Sequence, residues 1–149
     1  MERRNFIKGV LLAAAVIVSG KTPAAESEKG EGQKMQKLSN KEKPSALEQK
    51  HVPGIEAPAS VKPGSWFDVR VKVGFMGEHP STADHWITMI KLLADGREIA
   101  RGSFPVGGAA APVETFRIKL DKTTLLEAVE NCNLHGTWMS EPVKIEVRT

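Results

Sequence analysis

The chain has 149 residues, enough for one domain of ordinary size, and its 40% hydrophobic content is enough to build a core. Its single cysteine excludes an intrachain disulfide framework. The formal net charge of +3 is carried by residues 1–25, where Arg3, Arg4, Lys8 and Lys21 outweigh Glu2; the remainder is neutral and gives no support for a nucleic-acid face.

Residues 1–25 read as an export signal: a basic start, an apolar run from Gly9 to Val18, then small residues around Ala24 and Ala25. The run is short for a transmembrane helix, and the alternatives are an ordinary secretory signal or an anchor that stays uncleaved. "RRNFIK" resembles the twin-arginine motif, with Arg3, Arg4, Phe6 and Lys8 in register and Glu2 where a Ser or Thr is usual. That resemblance implies passage through the twin-arginine translocase into the periplasm as a folded protein, with any cofactor inserted beforehand. Residues 26–47 are rich in Lys, Glu, Gly and Ser and lack apolar periodicity, so a disordered, solvated linker is expected, its last residues ordering against the domain.

From residue 48 to 149 the pattern becomes that of a β protein. "WFDVRVKV" puts Phe67, Val69, Val71 and Val73 on one face, "TFRIKL" does so with Phe116, Ile118 and Leu120, and "PVKIEVRT" with Val143, Ile145 and Val147. Asp95-Gly96 between two apolar runs predicts a hairpin turn. "FPVGGAAAPV" reads as a loop, and "DKTTLLEAVENC" as a short helix or turn leading into a strand. The expected fold is all-β, an immunoglobulin-like antiparallel β-sandwich of about seven strands.

All four histidines and the cysteine lie in this part, within "KHVPG", "EHPSTADH" and "CNLHG". Taken singly, each has a bland reading: a surface or core histidine, a small buried cysteine, a core tryptophan at Trp138. Their conjunction points to a metal. Five N and S donors exceed what a structural zinc site needs and suit iron, which accepts five or six. Cysteine nucleophile chemistry would leave most of the histidines without a role.

"KHVP", "HPxxxxH" and "CNxHGxW" in this order resemble the superoxide reductase family, comprising neelaredoxin and the ferrous iron-binding domain of desulfoferrodoxin. The resemblance runs from about Glu48 to Thr149 and implies an immunoglobulin-like sandwich holding one mononuclear iron. It implies His51, His79, His85 and His135 as four nitrogens in a plane, Cys132 as the axial sulfur, and a sixth position open to substrate. The implied activity is one-electron reduction of superoxide to hydrogen peroxide, with the iron cycling between Fe2+ and Fe3+ and re-reduced by an external donor, an unidentified redox protein. Lys50 matches the family's lysine before the first ligand, where a cation attracts the anionic substrate and stabilises the charge that develops on it. The backbone amides of Leu134 and His135 are candidates to hydrogen-bond the sulfur as outer-shell groups.

Three departures stand out. Gln49 occupies the place of the family's glutamate, with Glu48 one step earlier as a second candidate to close the sixth position on the oxidised metal. Trp86 and Met89 stand where Tyr and Trp are common, and the family's optional four-cysteine iron domain is absent from this sequence. Assembly as a homo-oligomer is expected. The rival reading is an exported blue-copper-like electron-transfer sandwich using Cys132, His135, Met139 and one further histidine, which leaves two of His51, His79 and His85 idle. A third is a non-catalytic exported binding module.

Overall fold

The computed structural model describes residues 34–149; the export signal expected over 1–25 and the start of the expected linker lie outside the described residues. From Ala46 onward the order is one short helix and nine strands: α1 (Ala46–His51), β1 (Gly54–Glu56), β2 (Ser60–Val61), β3 (Trp66–Lys72), β4 (Ile87–Ala94), β5 (Arg97–Ser103), β6 (Val113–Lys119), β7 (Thr124–Cys132), β8 (Gly136–Met139) and β9 (Val143–Val147). One sheet has the order β1-β3-β6. The other runs β2-β9-β7-β4-β5, with β8 also paired to β7. The pairings are antiparallel except β2 with β9.

The alternation read from the sequence is the alternation that packs. In β3, Phe67, Val69 and Val71 are buried while Trp66, Asp68 and Arg70 are exposed; in β6, Phe116 and Ile118 are buried between exposed neighbours. These side chains meet Ile90, Leu92, Leu126, Ala128 and Ile145 from the facing sheet in one hydrophobic cluster. The hairpin predicted at Asp95-Gly96 joins β4 to β5, and both residues adopt positive φ, +48° and +78°, as a tight turn matched to strand twist requires.

One expectation narrows and another changes. "DKTTLLEAVENC" takes the second of its two readings: a bend at Asp121–Lys122 leads into β7, its last nine residues, the strand that pairs with β4, β8 and β9, and no helix forms. Its Leu, Glu and Ala content favours helix locally, but Leu126, Ala128, Glu130 and Cys132 alternate onto the core face, and tertiary pairing decides. The linker expected through residue 47 also ends earlier. Gln36 forms a parallel bridge with Trp138, Ser39 bonds to Glu48, and α1 begins at Ala46, two residues before the expected boundary. Main-chain and carboxylate hydrogen bonds order this stretch, and neither leaves a hydrophobic pattern in the sequence.

Candidate metal centre

The four histidines arrive from three places. His51 ends α1, His79 and His85 lie between β3 and β4, and His135 lies in the turn joining β7 to β8, which closes with Cys132 paired to Gly136. Gly136 has φ +76°, a conformation that glycine takes without strain. Gly74 has the same φ, and a Cβ there would meet the backbone nitrogen of His79 at 2.5 Å, so only glycine lets the chain fold back with His79 against it.

Asn133, inside the Cys132–His135 turn, fastens it to the segment carrying His85. Its Oδ1 accepts the Trp86 N–H at 2.9 Å, its Nδ2 donates to the Asp84 carbonyl at 2.8 Å, and its own N–H donates to the Trp86 carbonyl. The asparagine of "CNLHG" is therefore a structural cross-link between ligand-bearing segments.

Together these elements set four imidazoles at the corners of a near-square. Ring centroids lie 4.7 Å apart for His51–His79, 4.8 Å for His79–His85, 4.9 Å for His85–His135 and 4.7 Å for His135–His51, and the His51–His85 diagonal is 6.3 Å. The Cys132 sulfur is 3.5 Å from Nδ1 of His135. Donor atoms of His51, His85, Cys132 and His135 all lie within 4.8 Å of one another; His79 stands outside that tight set but occupies the remaining corner.

The hydrogen bonds around the square leave donor atoms free for a cation. His51 Nδ1 is 2.8 Å from the Leu47 carbonyl and His79 Nδ1 is 2.6 Å from the Pro80 carbonyl. A carbonyl only accepts, so Nδ1 carries the proton and Nε2 presents a lone pair. Nε2 of His51, His79 and His85 is buried without a hydrogen-bond partner. Three orphaned nitrogens in one place is a costly arrangement unless a metal satisfies them. Burial lowers the pKa of His51 and His85 and brings His79 to about 4, which keeps the lone pairs available at neutral pH. Burial raises the Cys132 thiol, opposed by the backbone N–H groups of Leu134 and His135 that point at the sulfur, so a cation is needed to draw out the thiolate.

Lys50 is exposed beside this square. It lines a cleft with His51, His85, His135 and Pro80, and its charge is felt at His51 and His85. Glu48 and Gln49 face elsewhere. One Glu48 oxygen accepts from the Ser39 N–H and hydroxyl at 2.6 and 2.7 Å, and the other accepts from the Ser45 N–H at 2.7 Å. Ser45 and Glu48 form a capping box on α1, and these bonds, the Ser39 amide's first, hold the Glu48 carboxyl down to about 2. Gln49 donates from Nε2 to the Pro44 carbonyl at 2.9 Å. Neither side chain is turned to the centre as sequence order had suggested. Leu134 is 61% exposed, and only its amide serves the site.

Sequence reasoning missed the capping box, although S-A-L-E at 45–48 carries its spacing. It also missed the second role of Trp138, which is buried and stacks on His51 at 5.2 Å and 25°.

The family model for desulfoferrodoxin matches residues 43–141, which hold all five donors. The chain belongs to the desulfoferrodoxin family. A superoxide reductase of Pyrococcus furiosus is 32% identical over 110 residues, covering 62% of this chain and 86% of that one. A solved superoxide reductase (neelaredoxin) from Ignicoccus hospitalis is 40% identical with a TM-score of 0.58, covering 66% of this chain and 81% of that one. The crystal structure of a putative superoxide reductase from Thermotoga maritima is 30% identical with a TM-score of 0.65, covering 77% and 95%. The cluster fits the mononuclear iron site expected of a desulfoferrodoxin-family enzyme.

Proposed function

We propose that His51, His79, His85 and His135 supply four nitrogens, and Cys132 one sulfur, to a single iron in a superoxide reductase. The observation that carries this is that donor atoms of His51, His85, Cys132 and His135 lie within 4.8 Å of one another, with the His79 ring at the remaining corner and the Nε2 atoms of His51, His79 and His85 buried without a partner. The square uses all four histidines, whereas a blue-copper site would leave two unused. Iron held there would supply the one electron that, with two protons, turns superoxide into hydrogen peroxide, and an external redox protein would restore that electron.

The chain's own groups do the rest. Lys50, in the wall of the cleft, attracts the anion and stabilises added negative charge. The Leu134 and His135 amides point at the sulfur and would support it as thiolate once a cation is bound. Trp138 covers His51 from the interior side and keeps that ring in place. Glu48 and Gln49 are engaged by Ser39, Ser45 and Pro44, so neither side chain is offered to a metal held by the five donors.

We propose a periplasmic location as well. Arg3 and Arg4 of "RRNFIK" direct the chain through the twin-arginine translocase to the periplasm, after iron and thiolate are assembled in the reducing cytoplasm. Metal analysis of the purified protein tests the centre: about one iron per chain is expected from one donor set, and stoichiometric copper with an intense blue colour would sink it. Replacing Arg3 and Arg4 by Lys tests the route, with cytoplasmic retention expected. Unchanged periplasmic delivery in cells lacking that translocase would refute it.

A further inference from the structure

The stretch before α1 bonds to two elements that carry donors of the centre. Gln36 donates from Nε2 to the carbonyl oxygen of His135 at 2.8 Å. The same oxygen accepts from Trp138 Nε1 at 3.2 Å, so two side chains hold the outer end of this ligand's peptide. Three residues further on, Ser39 gives both its N–H and its hydroxyl to Glu48, on the helix that carries Lys50 and His51. Residues 36–39 thus span from the Cys132–His135 turn to α1, two ligand-bearing elements far apart in sequence.

We infer that residues 36–39 act as a clasp, and that Gln36 is a positioning residue for the centre. Its amide fixes the His135 carbonyl, and through the His135 Cα it restrains the imidazole and the turn whose Leu134 and His135 amides point at the sulfur. This rests on the five-donor iron reading given above. The His135 carbonyl belongs to the peptide that leaves the His135 Cα toward Gly136, so fixing its orientation restrains rotation about the Cα that carries the imidazole. Gln36 and Trp138 supply the donors that reward that orientation. Gln36 is also placed independently of its side chain: its N–H donates to the Thr137 carbonyl at 3.0 Å and its carbonyl accepts from the Met139 N–H at 2.9 Å. Those bonds are indifferent to residue type. Gln36→Ala therefore removes the side-chain donor and leaves the strap in register.

The experiment uses the full iron-loaded chain in three forms: wild type, Gln36→Ala and Lys37→Ala, the last an exposed strap residue next in sequence. Release of Fe(II) to a chelator is timed, the midpoint potential is measured, and amide exchange of residues 134–138 is followed in the metal-free protein. Loss of an outer-shell partner lowers metal hold by tenfold or more, so Gln36→Ala should release iron about tenfold faster. Its potential should fall, because a sulfur with looser N–H bonds favours the ferric form. Its amides should exchange faster, while Lys37→Ala matches wild type in all three. Unchanged release, potential and exchange in Gln36→Ala overturns the inference, as does an equal effect in Lys37→Ala. A wild-type chain that takes up no iron would refute the functional reading, and amide exchange in the metal-free pair would still decide the clasp.

Discussion

The charge of Lys50 is the most direct handle on catalysis. Lys50 lines the cleft with His51, His85 and His135, is exposed, and enters no ion pair among the described residues. Its whole charge is therefore available to an anion entering the cleft. The five donors bring no net attraction beyond that of the metal, and the chain beyond residue 25 is neutral, so long-range steering by the protein as a whole is weak. Removing the charge by Lys50→Ala should slow the second-order reaction with superoxide about tenfold, or about 1.4 kcal/mol of barrier. A field effect scales with the charge change. Lys50→Glu changes the charge by two units and should double the logarithmic effect, to about a hundredfold, while Lys50→Arg should stay near wild type. The rates are read by pulse radiolysis across ionic strength. Wild type should slow as salt rises and Lys50→Ala should be flatter, since a charge at the mouth of an open cleft is screened over about 10 Å at 0.1 M salt. If Lys50→Arg were as slow as Lys50→Ala, the role would lie in the shape of the side chain. If Lys50→Glu matched Lys50→Ala, electrostatic attraction would be refuted.

The remaining predictions concern the residues around the square. Glu48→Ala should leave the absorption spectrum of the ferric protein unchanged, because that carboxylate is spent on Ser39 and Ser45; a shifted spectrum would show that it ligates the metal after all. The Glu48 carboxyl sits at about 2 in the fold against 4.5 when free, so its stabilising contribution is fully present above pH 4.5 and lost as pH falls toward 2. The difference in unfolding free energy between wild type and Glu48→Gln should accordingly be flat above pH 4.5 and shrink below it; a difference that grows on acidification would contradict the capping box. Trp138→Ala should cost about 3–5 kcal/mol in urea unfolding, as for a buried aromatic cut to a methyl group. Trp138→Phe should cost clearly less, because a ring still covers His51 and the losses are the Nε1–H bond to His135 and part of the indole's volume. Equal costs would mean that the hydrogen bond dominates the packing.

How much of this was legible in the sequence depends on how each feature is held. The donors were legible because their types are rare here: one cysteine and four histidines, all drawn into one place. The long strands β3 and β6 were legible because one buried face imposes a period of two. β1 and β2, at three and two residues, are too short to show any period, which is why nine strands appear where about seven were expected. β7 was ambiguous because its composition and its pairing pull in opposite directions, and one of its inward positions is Glu130, a carboxyl buried without a partner and raised by that burial to about 9. Glu48 is the most instructive case. Resemblance framed it as a carboxylate beside a ligand, and so as a candidate for the metal. The local rule was equally visible in Ser45-x-x-Glu48, and it prevails for a physical reason. A helix start leaves N–H groups unsatisfied, and a carboxylate three residues in, already held by Ser45 and by two donors from Ser39, would have to give up every one of these bonds to turn toward the iron. Two of the bonds that engage Glu48 come from Ser39 and so also tie the strap to α1, while the capping box itself is made with Ser45; Ser39→Ala, which removes the hydroxyl donor, should loosen the Glu48 carboxylate and weaken the strap's second anchor together.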